Sequence, residues 1–379
     1  MNQEQILGKN MNKVIIPVVL GFLSIFFNLY TIAQNSSSIK YVDARKLNVM
    51  GQPVPFPEKP FARMDAVAYN ITNRSVATKC AQSAGMMVLF TTDSKTIKAR
   101  WRTSDLSVPG TNTGANCQKG LDLYIRGNGK WIFAGVGAPD MGGSCENHES
   151  VLVTGMREGI KECLLYLPLF DRVDSLEIGV DEGSFITAMG NPFRHRIVIH
   201  GSSITHGSAA SRAGMSYVAR FGRDNDLYCM NMGFSGQCKL QKEFAHYLAD
   251  ALADAFIFDA FSNPSPDDIR TRFDEFVDII RVSHPKTPLI FIQTIRRDKR
   301  NFNLLTDAYE AEKQKIAKEM VTRRMKQDKN IYFIDSDGFL GDDGIATADG
   351  THPTDVGFSR MLEAMTPKLK RILRKYGIK

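Results

Sequence analysis

Residues Ile197–Ala210 read IVIHGSSITHGSAA. A short apolar strand, Ile197 to His200, meets a glycine, two adjacent serines, an Ile-Thr pair and a second glycine. Gly201 permits a tight turn, so a serine hydroxyl can be held where a buried strand ends. Four more apolar runs follow at intervals: LYCMNM from Leu227, AFIFDAF from Ala255, PLIFIQT from Pro288 and IYFID from Ile331. Segments of helical period separate them. In SPDDIRTRFDEFVDIIRVSH, Ile269, Phe273, Phe276, Val277 and Ile280 share one face, Ser265 caps the start, Pro266 suits the first position, and Asp267 and Asp268 favour the positive end. Strands alternating with helices predict a parallel sheet of five strands covered by helices on both faces.

Upstream the period changes to two. TIKARW, LDLYIR and LEIGVD each alternate apolar with polar residues, and Asn128-Gly129 between LDLYIR and WIFAGV supplies the backbone of a tight hairpin. This half reads as an antiparallel β-sandwich. The break falls at MGNPFRH, Met189 to His195, which predicts a sandwich over 34–190 and an α/β domain over 191–379.

The first residues read differently again. Lys9 and Lys13 precede an apolar stretch from Val14 to Phe27, and a polar slide ends at Ala33-Gln34. This is the pattern of a secretory signal peptide over 1–33, cleaved after Ala33, and places the mature protein in the periplasm or outside the cell. An uncleaved anchor is the rival, although the run is shorter than the ~20 residues a membrane span prefers. Net charge is +7, and much of it sits in the tail KLKRILRKYGIK. Basic and apolar positions alternate there at helical spacing, which fits the solvated face of a terminal helix rather than a nucleic-acid or membrane patch. Six cysteines carry no CxxC spacing, so zinc and dithiol redox chemistry are not indicated. Cys117 with Cys145 is the first pairing to expect if any form; buried thiols are the alternative. The acidic loop DSDGFLGDDG lacks the spacing and terminal glutamate of an EF-hand.

In a parallel sheet ligands bind beyond the carboxyl ends of the strands, the address of the GSSITHG turn. A serine hydroxyl is a weak nucleophile without a histidine base and a third group to orient it. Of seven histidines, His352 in ATADGTHPTDVGF stands three residues after Asp349, just before a helix predicted to start at Pro353. By itself DxxH also fits a structural loop or part of a metal site. After the last strand of a sheet whose first strand ends in a serine turn, it completes the chain order serine, aspartate, histidine. Two further loops on the same edge offer oxyanion donors: NMGFSG the amide of Gly233, and DAFSNPS the side-chain amide of Asn263. As plain turn residues, neither needs any chemistry. His206, near the nucleophile, is a candidate for substrate contact or a solvated loop residue.

These four blocks, from Arg196 to the C-terminus, resemble the SGNH or GDSL-like hydrolase superfamily, whose catalytic domain is flavodoxin-like. The resemblance makes Ser203 the nucleophile, with Ser202 where the commoner block has aspartate. SNPS departs from the usual Gly-x-Asn-Asp block, which leaves Asn263 the weakest match. GLDLY, Gly120 to Tyr124, and LLYLPLFDRVDSLEIGVD look like the jelly-roll-like sandwich that precedes this domain in a bacterial subgroup; Asp122 there is structural, joins the two halves or positions substrate. The resemblance implies ester hydrolysis through an acyl-enzyme, with Ser203, Asp349 and His352 as triad and the amides of Ser203 and Gly233 plus Asn263 meeting the oxyanion. It implies no metal or organic cofactor. The substrate class it suggests is acetylated carbohydrate. Lipase, thioesterase or arylesterase activity, acetyl transfer to a sugar, and a non-catalytic glycan-binding protein are the alternatives.

Overall fold

A computed structural model describes residues 38–104, 110–142 and 145–379; the predicted signal peptide lies outside them. Among the described residues no helix is long and apolar enough to cross a membrane.

The second half contains β11 (Arg194–Gly201), β12 (Leu227–Gly233), β13 (Ala255–Asp259), β14 (Leu289–Ile292) and β15 (Ile331–Ile334). They form one parallel sheet in the order β12-β11-β13-β14-β15. This is the five-stranded, flavodoxin-like order expected, with the reversal of strand order beside β11. The crossover from β11 runs one way along the sheet, through α4 (Tyr217–Asp224). The later ones run the other way, through α5 (Lys242–Asp250), α6 (Pro266–Ser283) and α7 (Leu304–Gln327). Right-handed connection therefore puts α4 on one face and α5, α6 and α7 on the other. The predicted start of α6 is present in full: Ser265 Oγ accepts from the Asp268 amide while the Asp268 carboxylate accepts from the Ser265 amide. The last helix, α8 (Asp355–Leu373), starts later than predicted. Thr354 is its N-cap, and Pro353 sits before it, bridged to Thr347. The basic tail forms its exposed side.

Two sheets make up the first half. One runs β1 (Ile39–Asp43), β9 (Val173–Asp181), β4 (Ile97–Thr103), β7 (Asn147–Val153). The other runs β10 (Ile186–Ala188), β3 (Met87–Thr92), β8 (Lys161–Tyr166), β5 (Leu121–Gly127), β6 (Lys130–Gly137), with β2 (Asn48–Met50) also on β3. At the β5–β6 hairpin Asn128 and Gly129 both have positive φ, 51° and 75°. The described residues hold no disulfide: Cys117 Sγ instead lies 3.7 Å from the Gly207 carbonyl and Cys145 Sγ 3.1 Å from that of Met141, so the Cys117–Cys145 pairing is not made.

The second sheet is buried on both faces, which period-two reading does not predict. Val88, Phe90, Leu121, Leu123 and Leu165 pack with Ile97, Ala99 and Trp101 of the first sheet. Met87, Leu89, Tyr124, Leu164 and Tyr166 on its other face join the core of the α/β half. MVLF and CLLYL are accordingly continuous apolar runs rather than alternating ones. Tyr41–Lys379 thus form one compact unit. Asp122 pins the junction. Fully buried, it accepts from the Gly214 amide (2.8 Å) and from Arg212 Nε (3.0 Å) in the loop beyond the GSSITHG turn. Of the roles open to it in the sequence, this is the joining one.

Candidate active site

Beyond β11 the chain turns at once into α3 (Ser203–His206), a single helical turn seated on the strand ends. Ser202 is its N-cap, accepting from the Ile204 amide at 3.2 Å, which explains the paired serines: the first caps the turn that presents the second. Two glycines let α3 sit this low. A Cβ on Gly201 would lie 2.1 Å from Thr205 Oγ1, and one on Gly233 2.1 Å from the His206 nitrogen.

Ser203 Oγ lies 2.8 Å from His352 Nε2, and His352 Nδ1 lies 2.7 Å from Asp349 Oδ2. A small hairpin holds the latter two: Ala348 N–H donates to the His352 carbonyl, Thr354 N–H to that of Ala346, and Gly350 between them has φ of 76°. The other oxygen of Asp349 accepts from the amides of Thr351 (3.0 Å) and His352 (2.8 Å). Partial burial works against this carboxylate. The His352 ring and amide and a third donor, Asn112 Nδ2 at 2.9 Å, outweigh it and hold the carboxyl well below the usual range. Asn112 comes from the first half, in the turn before α2 (Ala115–Gln118), and its Nδ2 is also 2.9 Å from His352 Nδ1. Nothing in its sequence setting marks it.

Gly233 does not serve as expected. Its amide is the last of β12 and donates to Asn231 Oδ1 at 2.9 Å, while Asn231 Nδ2 donates to the Thr205 carbonyl, so this pair fastens α3 to β12. Among the described residues the amides of Ser203 and of Gly236, three residues further on at the turn tip with φ of 71°, make no hydrogen bond. The signal was available: Gly233 still belongs to an unbroken apolar strand, whereas Gly236 lies beyond it. Asn263 follows β13 with its Oδ1 buried and unpartnered, and among the described residues no hydrogen bond engages its side-chain nitrogen.

His206 makes no substrate contact, being fully buried. Its Nε2 donates to the Leu169 carbonyl at 2.5 Å, its Nδ1 accepts from the Ser235 amide at 3.3 Å, and its ring stacks on Phe170 with centroids 4.1 Å apart. Burial, with the Arg63 and Lys79 charges nearby, pushes it well below the ordinary histidine range and keeps it neutral. Arg63 braces the same loop from below. It is wholly buried and has no carboxylate partner among the described residues; its guanidinium donates to the carbonyls of Gly233 (2.6 Å), Gln82 (3.0 Å) and Lys79, and burial lowers its pKa to about 10.

A cleft of about 280 Å³ opens over His352. Among the described residues it is lined by the polar Asn112, Thr113, Gln82, Gln118, Lys79, Ser208 and Ser235 and by Gly110 and Phe170. A hydroxyl in line with an imidazole and a carboxylate, below such a cleft, suits acyl transfer through a serine ester.

The profile of the GDSL-like Lipase/Acylhydrolase family matches residues 194–370, and that of the N-terminus of SGNH-hydrolase-type esterases, GxDLY, matches 39–186. Among curated protein sequences none matches. A solved protein from Bacteroides ovatus ATCC 8483, described as a GDSL-like lipase, is 45% identical over 89% of this chain and 98% of its own, with a TM-score of 0.85. The salicylyl-acyltransferase SsfX3 of a tetracycline biosynthetic pathway shares the fold at 19% identity and TM-score 0.67, covering 89% of this chain and 96% of its own. A family two carbohydrate esterase from Cellvibrio japonicus shares it at 14% and 0.57, covering 89% and 98%. With a serine-centred site, a GxDLY first half and a relative this similar along its whole length, the chain belongs to the GDSL-like lipase/acylhydrolase family and is a serine ester hydrolase.

Proposed function

We propose that this hydrolase is an exported carbohydrate O-acetylesterase. The observation that carries the reading is the cleft: small, polar and walled by amides, hydroxyls and one ammonium. Such a wall suits a short acyl group on a hydroxyl-rich alcohol, whereas a long acyl chain needs a continuous apolar groove. In the mechanism we propose, His352 Nε2 takes the Ser203 proton as Oγ attacks the acetyl carbonyl, and Asp349 holds the Nδ1–H tautomer. The oxyanion is met by the amides of Ser203 and Gly236 and by the Asn263 side chain, a few kcal/mol of barrier per donor. The sugar oxygen leaves with the proton from His352. Water, activated by the same nitrogen, then attacks the acetyl-enzyme and releases acetate.

The test is turnover of 4-nitrophenyl esters from acetate to decanoate, followed by acetate release from acetylated polysaccharides. Activity confined to short esters and to acetylated glycans is expected; preference for decanoate overturns the reading. Export is checked separately, by mass spectrometry of the mature N-terminus, expected at Gln34.

A further inference from the structure

Lys79 stands in the last turn of α1 (Arg74–Ala81) and lines the cleft together with Ser235 and His352. Its ammonium lies 5.7 Å from the centroid of the Phe170 ring and forms no ion pair among the described residues. The neighbouring acid, Asp171, is committed to the buried Lys119 at 2.8 Å. Asp349, the acid behind the cleft, is committed to His352 and Asn112. Among the described residues no Asp or Glu lines the cleft. Directly behind Lys79 lies Arg63, a second cation that donates to carbonyls and lies over the Phe234 ring. Burial and that guanidinium together push the Lys79 ammonium below its ordinary range. Two positive charges beside a half-enclosed cleft, with the nearest described acid, Asp171, already paired to Lys119, make a field that favours an anion there.

A second, independent feature lies beside it. Gln82 is 3% exposed, and its Oε1 is buried with no hydrogen-bond partner. Its Nε2 donates to the Phe170 carbonyl at 2.6 Å, which fixes the amide orientation, since the flipped form would set two oxygens together. The orphan oxygen is therefore a true acceptor lacking a donor. We propose that the cleft beside Ser203 is a subsite for an acidic sugar: Lys79 is the counter-ion of a carboxylate on the alcohol part of the ester, and Gln82 Oε1 accepts from a neighbouring hydroxyl. The inference rests on the carbohydrate-ester reading above and narrows it to uronate-type substrates.

The experiment compares acetate release from mono-O-acetylated methyl galactosiduronic acid and from its C6 amide, which keeps the shape but exchanges the charged oxygen for a neutral NH2 donor. Both are measured with the wild type, Lys79→Gln and Lys79→Arg, at low and at high salt, with 4-nitrophenyl acetate as a third substrate. Wild type is expected to favour the acid by roughly tenfold in kcat/KM at low salt, as for one half-buried ion pair, and less at high salt. Lys79→Gln should bring the acid-to-amide ratio near one, and Lys79→Arg should keep most of the preference. Equal rates for acid and amide in the wild type overturn the subsite while leaving the carbohydrate esterase standing. A preference that survives Lys79→Gln overturns the role of Lys79. Hydrolysis of 4-nitrophenyl acetate with neither sugar ester touched overturns the carbohydrate reading, and the subsite falls with it.

Discussion

At the scale of single residues, the paired serines and Asn112 give the sharpest expectations. Ser203→Ala should abolish ester turnover with the urea midpoint unchanged, because a single hydroxyl bonded to His352 contributes little to the fold. Ser202→Ala should do the reverse: it removes a cap, costs about 1 kcal/mol in urea unfolding and leaves most of the turnover. The opposite pattern would mean that the nucleophile is misplaced by one position. Asn112 is a positioning residue. It donates to the carboxylate that orients His352, and the partly positive amide nitrogen also faces His352 Nδ1. Asn112→Ala should lower kcat about tenfold, the worth of one hydrogen bond to a charged group. A purely structural role would instead show as a lower urea midpoint with kcat unchanged. Ser203, Asp349 and His352 were legible because each sits in a short stretch whose neighbours announce a turn at a strand end. Asn112 and Arg63 were not, since each acts through contacts over a hundred residues away in sequence, and no local pattern records such a pairing.

Among elements, α3 matters most, because a four-residue helix has almost no stability of its own. Its place depends on Gly201 and Gly233, where a side chain would collide with Thr205 and with the His206 backbone. Gly233→Ala should cost roughly 3 kcal/mol, the upper range of overpacking since backbone must move, and should lower activity together with stability. An unaffected urea midpoint would show that α3 can ride higher on the sheet than it does. Strands and long helices were legible from period and caps, down to the Ser265–Asp268 box. What failed were decisions about which side of a boundary a residue falls on: Pro353 before rather than inside α8, and Gly233 inside the strand rather than in the loop. Apolar periodicity marks the middle of an element far better than its last residue.

For the molecule as a whole, stability should carry a slope from one buried acid. Asp259, at the end of β13, is fully desolvated, and its carboxyl is pushed up to about 7 despite hydrogen bonds from Thr205 and Tyr217 and the Arg297 charge. A carboxyl raised above its ordinary ~3.9 stabilises the fold fully below that value, and the contribution is lost as pH rises through about 7. Urea midpoints should therefore fall between pH 4 and 7 more steeply for wild type than for Asp259→Asn; parallel curves would show that Asp259 is already ionised. The three-layer build was the least legible feature, although MVLF and CLLYL hinted at it, because alternation elsewhere in the first half suggested one wet face. That middle sheet is where the two halves become inseparable. Its outer face belongs to the hydrolase core, and the turn before α2 reaches the triad. A chimera that took its first half from a relative would keep its nucleophile and base yet inherit foreign Lys79, Gln82 and Asn112 positions, and so exchange its choice of alcohol without any change to the reaction.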